Sequence, residues 1–209
     1  MDILNNRLLE LCSDLCFDKE EARLLVGKLN LNVELANPSY SNSRTTFLME
    51  ATRYANMEMV RLLLQNGADP NFILYADKPL WRENPFWKLQ YNDFGETEEE
   101  NEVGLEMAQL MLEYGANPNI TLDDEDLFSY VCFAVFNDDD TPELLEYRSR
   151  FFILLIAYGG SNSYCNPKII LNFDKSNMKQ YRFCCVPCSD GYHLTSEIID
   201  RNHDIVATV

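Results

Sequence analysis

From Thr46 to Asn71 the chain reads Thr-Phe-Leu-Met-Glu-Ala-Thr-Arg-Tyr-Ala-Asn-Met-Glu-Met-Val-Arg-Leu-Leu-Leu-Gln-Asn-Gly-Ala-Asp-Pro-Asn, two short helices and both their stops in one run. Thr46 is suited to cap the first helix, whose Phe47, Leu48 and Ala51 fall on one face before the pattern gives out near Ala55-Asn56. Glu58 opens a second helix in which Met59, Val60, Leu62, Leu63 and Leu64 are apolar nearly all round, as in a helix buried between neighbours. Gly67 stops it by taking a left-handed conformation, and Pro70 prevents its resumption, so the chain must turn away. Such a pair cannot bury its own apolar surface and needs copies stacked beside it.

Copies are present. Leu110-Met-Leu-Glu-Tyr-Gly-Ala-Asn-Pro-Asn119 repeats the second helix and its stop closely, and Ile153-Leu-Leu-Ile-Ala-Tyr-Gly-Gly-Ser-Asn162 repeats it more loosely. With Gly67, Gly115 and Gly159 as equivalent stops, the stretch resembles an ankyrin repeat almost residue for residue. The glycines lie further apart than the ankyrin period of about 33 residues, so each interval holds an insertion.

The resemblance implies an all-α ankyrin-repeat solenoid of about five helix-turn-helix units with hairpin fingers and degenerate terminal caps. Residues 1–32, with helical patterns at Leu4–Cys12 and Lys19–Val26, read as an N-terminal cap in which Leu29-Asn-Leu-Asn32 replaces the glycine stop. Repeats are expected at 45–71, 84–119 and 126–163, the second opening at Asn84-Pro-Phe-Trp with Asn84 in the place of Thr46 and Trp87 in that of Met49. Fingers are expected at 33–45, 72–83 and 121–126, with Asp126 capping the next helix. Acidic insertions follow at Asp93–Val103, read as a solvated loop or short frayed helix, and at Asn137–Pro142. The β-like runs Lys168–Phe173 and Lys179–Val186 suggest an enlarged finger hairpin over 164–189, and 190–209 a helical C-terminal cap containing His203, where ankyrin repeats often carry a structural histidine.

No run approaches a membrane-helix length, the N-terminus lacks the sections of a signal peptide, and seven cysteines in no framework spacing suggest a reducing cytoplasmic setting. The net charge is −17, and it is concentrated: Asp93 to Glu146 holds seventeen acids and no Lys, Arg or His, while the other seventeen acids match the seventeen bases elsewhere. Such a field repels nucleic acid and anionic membrane and draws in basic proteins.

Catalytic patterns are missing from the sequence: Gly159-Gly160 is a helix stop rather than a phosphate loop, and neither a Ser-His-Asp nor an HExxH arrangement occurs. Asp138-Asp139 lies in an insertion without histidine or glycine scaffolding, where a solvated loop fits better than a catalytic pair. Cys185-Val-Pro-Cys188 is half of a zinc pattern that His193 could help complete, though a single such pair without a second is a weak signal, reduced structural cysteines fit better, and no cofactor is expected. In ankyrin domains finger tips and the exposed ends of first helices line a protein-binding groove. The resemblance places Tyr40, Arg44, Arg53, Tyr54, Trp81, Arg82 and Tyr91 there, residue types that bury large area while keeping a polar handle. Packing of Trp81 or Tyr91 beneath an insertion is the structural alternative. The acids Glu98, Glu99, Glu100, Asp123, Asp124, Glu125, Asp138, Asp139 and Asp140 complete the candidate partner-binding set. Together these features point to a non-enzymatic module that binds and blocks a basic protein, as an immunity protein, antitoxin or phage-type inhibitor does. A passive scaffold or host-directed effector, and a zinc-containing regulatory protein, are the other classes left open.

Overall fold

A computed structural model describes residues 3–37, 43–75, 83–90, 97–122, 125–134 and 141–160, and the backbone of four strands between 169 and 208. Helices dominate the first part in consecutive pairs: α1 (Ile3–Ser13) with α2 (Lys19–Val26), α3 (Phe47–Arg53) with α4 (Met57–Gln65), the 3-10 helix Trp87–Gln90 with α5 (Glu98–Glu113), and α6 (Leu127–Ala134) with α7 (Pro142–Ala157). The first members pack on one another, α1 on α3 and α3 on the 3-10 helix, and the second members form a parallel layer in the order α2, α4, α5, α7. Between the layers lies one continuous core running from Leu8 and Leu11 through Phe47, Met59 and Leu63 to Phe86, Met107, Phe128, Phe151 and Phe152.

Local chemistry sets each boundary. The Thr46 side chain accepts from Met49 N at 3.1 Å, Asn56 caps α4 through Met59 N at 3.1 Å, and Asp126 caps α6 through Ser129 N at 2.7 Å. Gly67, Gly115 and Gly159 all sit near φ +88°, at +88, +89 and +87, in the conformation expected of a helix stop without a Cβ. Asn84 accepts from Phe86 N and Trp87 N at 2.9 Å, matching its expected role, but the helix it starts is a single 3-10 turn.

A ladder of asparagines ties successive stops together. Asn32 Nδ2 donates to Gly67 O at 3.0 Å and its Oδ1 accepts from Asp69 N at 2.8 Å; Asn71 repeats this with Gly115 O at 2.8 Å and Asn117 N at 2.7 Å, and Asn119 Nδ2 reaches Gly159 O at 3.3 Å. Asn32 thus occupies the register of Asn71 and Asn119.

The fingers form short hairpins where expected: β1 (Leu35–Ala36) pairs with β2 (Arg44–Thr45), Leu74 bridges Glu83, and β3 (Thr121–Leu122) pairs with β4 (Glu125–Asp126). Two expectations need correction. Residues 98–103 are not a loop or a frayed helix but the first turns of the long helix α5, fixed by a full capping box between Thr97 and Glu100. The β-like runs of 164–189 pair as an antiparallel hairpin, as expected, but the hairpin continues into a four-stranded sheet and 190–209 is not a helical cap, so the fold is not all-α throughout. Strands β5 (Ile169–Phe173), β6 (Lys179–Cys188), β7 (Gly191–Ile199) and β8 (Ile205–Thr208) form an antiparallel meander in chain order, with β5 against α7. Gly191 opens β7 paired with Cys188, and Tyr192–Ile199 is rich in the β-branched and aromatic residues that favour a pleated surface. His203 and the rest of 200–204 lie outside the described residues.

Candidate functional site

The acids of α5 and α7 come together as the stacking of the outer layer requires. Asn101, buried one turn into α5, donates from Nδ2 to Glu143 O in the first turn of α7 at 3.2 Å, fixing the two N-terminal turns side by side. Glu98 and Glu99 are exposed on one turn and Glu143 and Glu146 on the other. Glu100 plays a different part: its carboxylate accepts from Thr97 N at 3.1 Å and from Thr97 Oγ1 at 2.9 Å, so it serves the capping box rather than the solvent face. Arg150 reaches across from α7 to pair with Glu102, its NH2 at 3.0 Å from Oε2. The pair holds the Glu102 carboxyl below its ordinary range and raises the guanidinium, with Glu146 and Glu98 adding to the latter. Asp138, Asp139 and Asp140 lie outside the described residues, in the segment that leads directly into α7; Asp123 and Asp124 do too, while Glu125 is exposed on β4.

The groove residues divide. Tyr54 closes α3 and is 38% exposed, as a contact residue requires. Arg44 is exposed on β2, and its N–H donates to the Tyr75 hydroxyl. Arg53 turns inward to Glu50, at 3.7 Å, and Glu50 is buried while accepting from Asn37 Nδ2 at 2.9 Å and Thr45 Oγ1 at 2.8 Å. That network braces the stem of the first finger against α3, which makes Arg53 a positioning residue. Tyr40, Trp81, Arg82 and Tyr91 fall outside the described residues. Trp87, the counterpart of Met49, is buried against Tyr130 with ring centroids 5.8 Å apart.

Sequence reasoning missed Tyr75 and Glu34. Tyr75 N donates to Glu34 Oε1 at 2.9 Å and its hydroxyl accepts from Arg44, joining the first two fingers at a φ of +54° that no residue pattern announces. Tyr147, fully buried, donates to Leu89 O at 2.9 Å and locks α7 to the 3-10 helix; burial pushes its phenol well above the usual range. Burial likewise raises the Cys12 thiol, with a smaller contribution from Glu50, so Cys12 is unreactive core while Cys16 is exposed.

In β6 the pairing runs unbroken from Gln180 to Cys188, and in a regular strand residues three apart take opposite faces, so Cys185 and Cys188 occupy register positions on opposite sides of the sheet. His193 is paired with Val186. Among the residues whose side chains are described, no group of His, Cys, Asp and Glu could hold a metal ion, and no helix is long and apolar enough to cross a membrane.

No curated protein matches the chain. The ankyrin repeat family model matches residues 44–73. Repeats of this family generally serve as non-catalytic interaction domains. The match spans β2, the α3–α4 pair and the Gly67 stop, the same unit whose two caps and left-handed turn were traced above, and the chain therefore carries an ankyrin repeat at these residues.

Proposed function

We propose that the protein is a non-catalytic binding module whose acidic edge docks a basic protein and covers its active or nucleic-acid-binding face, in the manner of an immunity protein, antitoxin or phage-type inhibitor in a reducing cytoplasm. The observation that carries this reading is the juxtaposition of the first turns of α5 and α7 through Asn101 and Glu143, with Glu98, Glu99, Glu143 and Glu146 exposed together. Exposed Tyr54 at the end of α3 supplies an aromatic contact on the inner layer.

The test begins with cross-linked capture from the native cell and identification of the bound protein by mass spectrometry. Association with that protein is then followed over a salt series for the wild type and for a variant carrying Glu98→Gln, Glu99→Gln, Asp138→Asn, Asp139→Asn and Asp140→Asn. Charge of this kind acts over a Debye length of about 8 Å at physiological salt and mainly raises the association rate. The neutralised variant should associate more slowly and with a shallower salt dependence, while dissociation changes little. Salt-independent association of the wild type, or equal association rates for the two, would make the edge a solubility feature and favour a passive scaffold.

A further inference from the structure

The outer layer carries a second surface of different character. Between α2 and α4 lies a cleft of about 250 Å³, open to solvent, with Phe17 and Leu62 forming an apolar floor. Lys19 and Glu58 close one end by pairing at 2.7 Å, so their charges cancel. Arg23 lines the α2 wall and is engaged by Glu20 only as an exposed neighbour three residues away, a contact of little strength. Arg61 lines the α4 wall, exposed and with no ion pair among the described residues, and Gln65 stands one turn beyond it. In a chain of net charge −17, this cleft is lined by three cations and one anion.

We propose that the cleft binds an acidic peptide segment carrying one apolar side chain. The volume suits a single leucine- or phenylalanine-sized group on the Phe17–Leu62 floor. The guanidinium groups of Arg23 and Arg61, one on each wall, suit a carboxylate, which either can hold through paired N–H donors, and the Gln65 amide offers both a donor and an acceptor to the peptide backbone. Neutral peptides lack that complement, and basic peptides would also place like charge against Arg61. The surface is separate from the acidic edge at α5 and α7 and requires a ligand of opposite charge, so it does not depend on the edge being an interface.

The test uses the full chain and three capped probes, Glu-Leu-Glu, Lys-Leu-Lys and Glu-Ser-Glu, titrated while backbone amide shifts are recorded by NMR. The expected result is saturable binding of Glu-Leu-Glu with shifts confined to α2 and α4, and affinity lower by about tenfold or more when either the leucine or the Arg61 charge is removed. Arg61→Gln is the variant, since Arg61 is exposed and its replacement leaves the core untouched; its amide spectrum confirms the fold. Binding of Lys-Leu-Lys at the same residues, unchanged affinity in Arg61→Gln, or an absence of saturable shifts at millimolar peptide would each overturn the proposal.

Discussion

Replacing Gly67 with valine tests the stack where its backbone is most exacting. Gly67 has a φ of +88°, and a Cβ built there would meet nothing within 4 Å, so the penalty is conformational rather than steric crowding. A left-handed conformation costs an L-residue about 1–2 kcal/mol, and more when the side chain is β-branched. The turn also aims Gly67 O at Asn32 Nδ2, 3.0 Å, and Asp69 N at Asn32 Oδ1, 2.8 Å; re-aiming it weakens bonds that contribute about 1 kcal/mol between them. Gly67→Val should therefore lose about 2–3 kcal/mol, which for a chain of this size lowers Tm by about 4–12 °C. Gly67→Asn should lose much less, because asparagine tolerates the left-handed region. Gly160 provides the contrast: its added Cβ would lie 2.7 Å from Leu155 O and 2.7 Å from Phe128 Cδ2, so Gly160→Ala and Gly160→Asn should both destabilise through overlap, with no rescue by asparagine. Thermal and urea unfolding followed by circular dichroism read all four variants. A Gly67→Val protein melting within a degree of wild type, or an asparagine as harmful as valine there, would refute the reasoning.

Two further outcomes follow from the same geometry. Asn71→Ala removes the donor to Gly115 O and the acceptor of Asn117 N and should lower stability by about 1–2 kcal/mol in urea unfolding, with Asn71→Asp restoring only part of it; an unchanged midpoint would show that the ladder contributes nothing. The Glu102 carboxyl has its folded pKa depressed by Arg150, so its contribution is present above the unfolded value of about 4.5 and disappears as pH falls through the folded value; between about pH 5 and 3 the wild type should lose more stability than Glu102→Gln, and parallel urea midpoints across that range would refute the pairing.

The helical part was legible because its signals are local. Thr46, Asn84 and Asp126 cap as their residue types indicate, and the three glycines take the positive φ that a helix stop demands, Gly67 and Gly115 before an Asp-Pro or Asn-Pro turn and Gly159 before Gly160. Three kinds of feature were not legible, for different reasons. Residues 98–103 were misread because a run of acids resembles a solvated loop, whereas the Thr97–Glu100 capping box and the helix dipole turn the same acids into a helix start. Residues 191–199 depart from the expected helical cap because the β-branched and aromatic residues between Tyr192 and Ile199 favour a pleated surface. Tyr75 carries no local signal, since its partners Glu34 and Arg44 approach only when the first two fingers pack together.

The capping box raises the question of whether the acids of α5 need any explanation beyond helix stability. In the first turn they do not: Glu98, Glu99 and Glu100 face a helix N-terminus that favours negative charge, as Glu20, Glu21, Glu58 and Glu143 do at α2, α4 and α7. Further along, the same argument reverses. Glu98, Glu102 and Glu106 form two successive like-charge pairs four residues apart, each unfavourable by about 0.2–0.5 kcal/mol. Glu113 ends the helix where the dipole disfavours an anion, and the last turn carries no basic residue. Arg150 offsets one of these charges, at Glu102, and Gln109 Nε2 donates to Glu113 at 2.9 Å without neutralising it. A helix arranged only for its own stability would place lysine or arginine among these positions, as α2 does with Arg23, in its last turn and three residues from Glu20. Acidity that extends past the turn it stabilises, into places where it weakens the helix, is the pattern expected of a surface whose charge acts on something outside the chain.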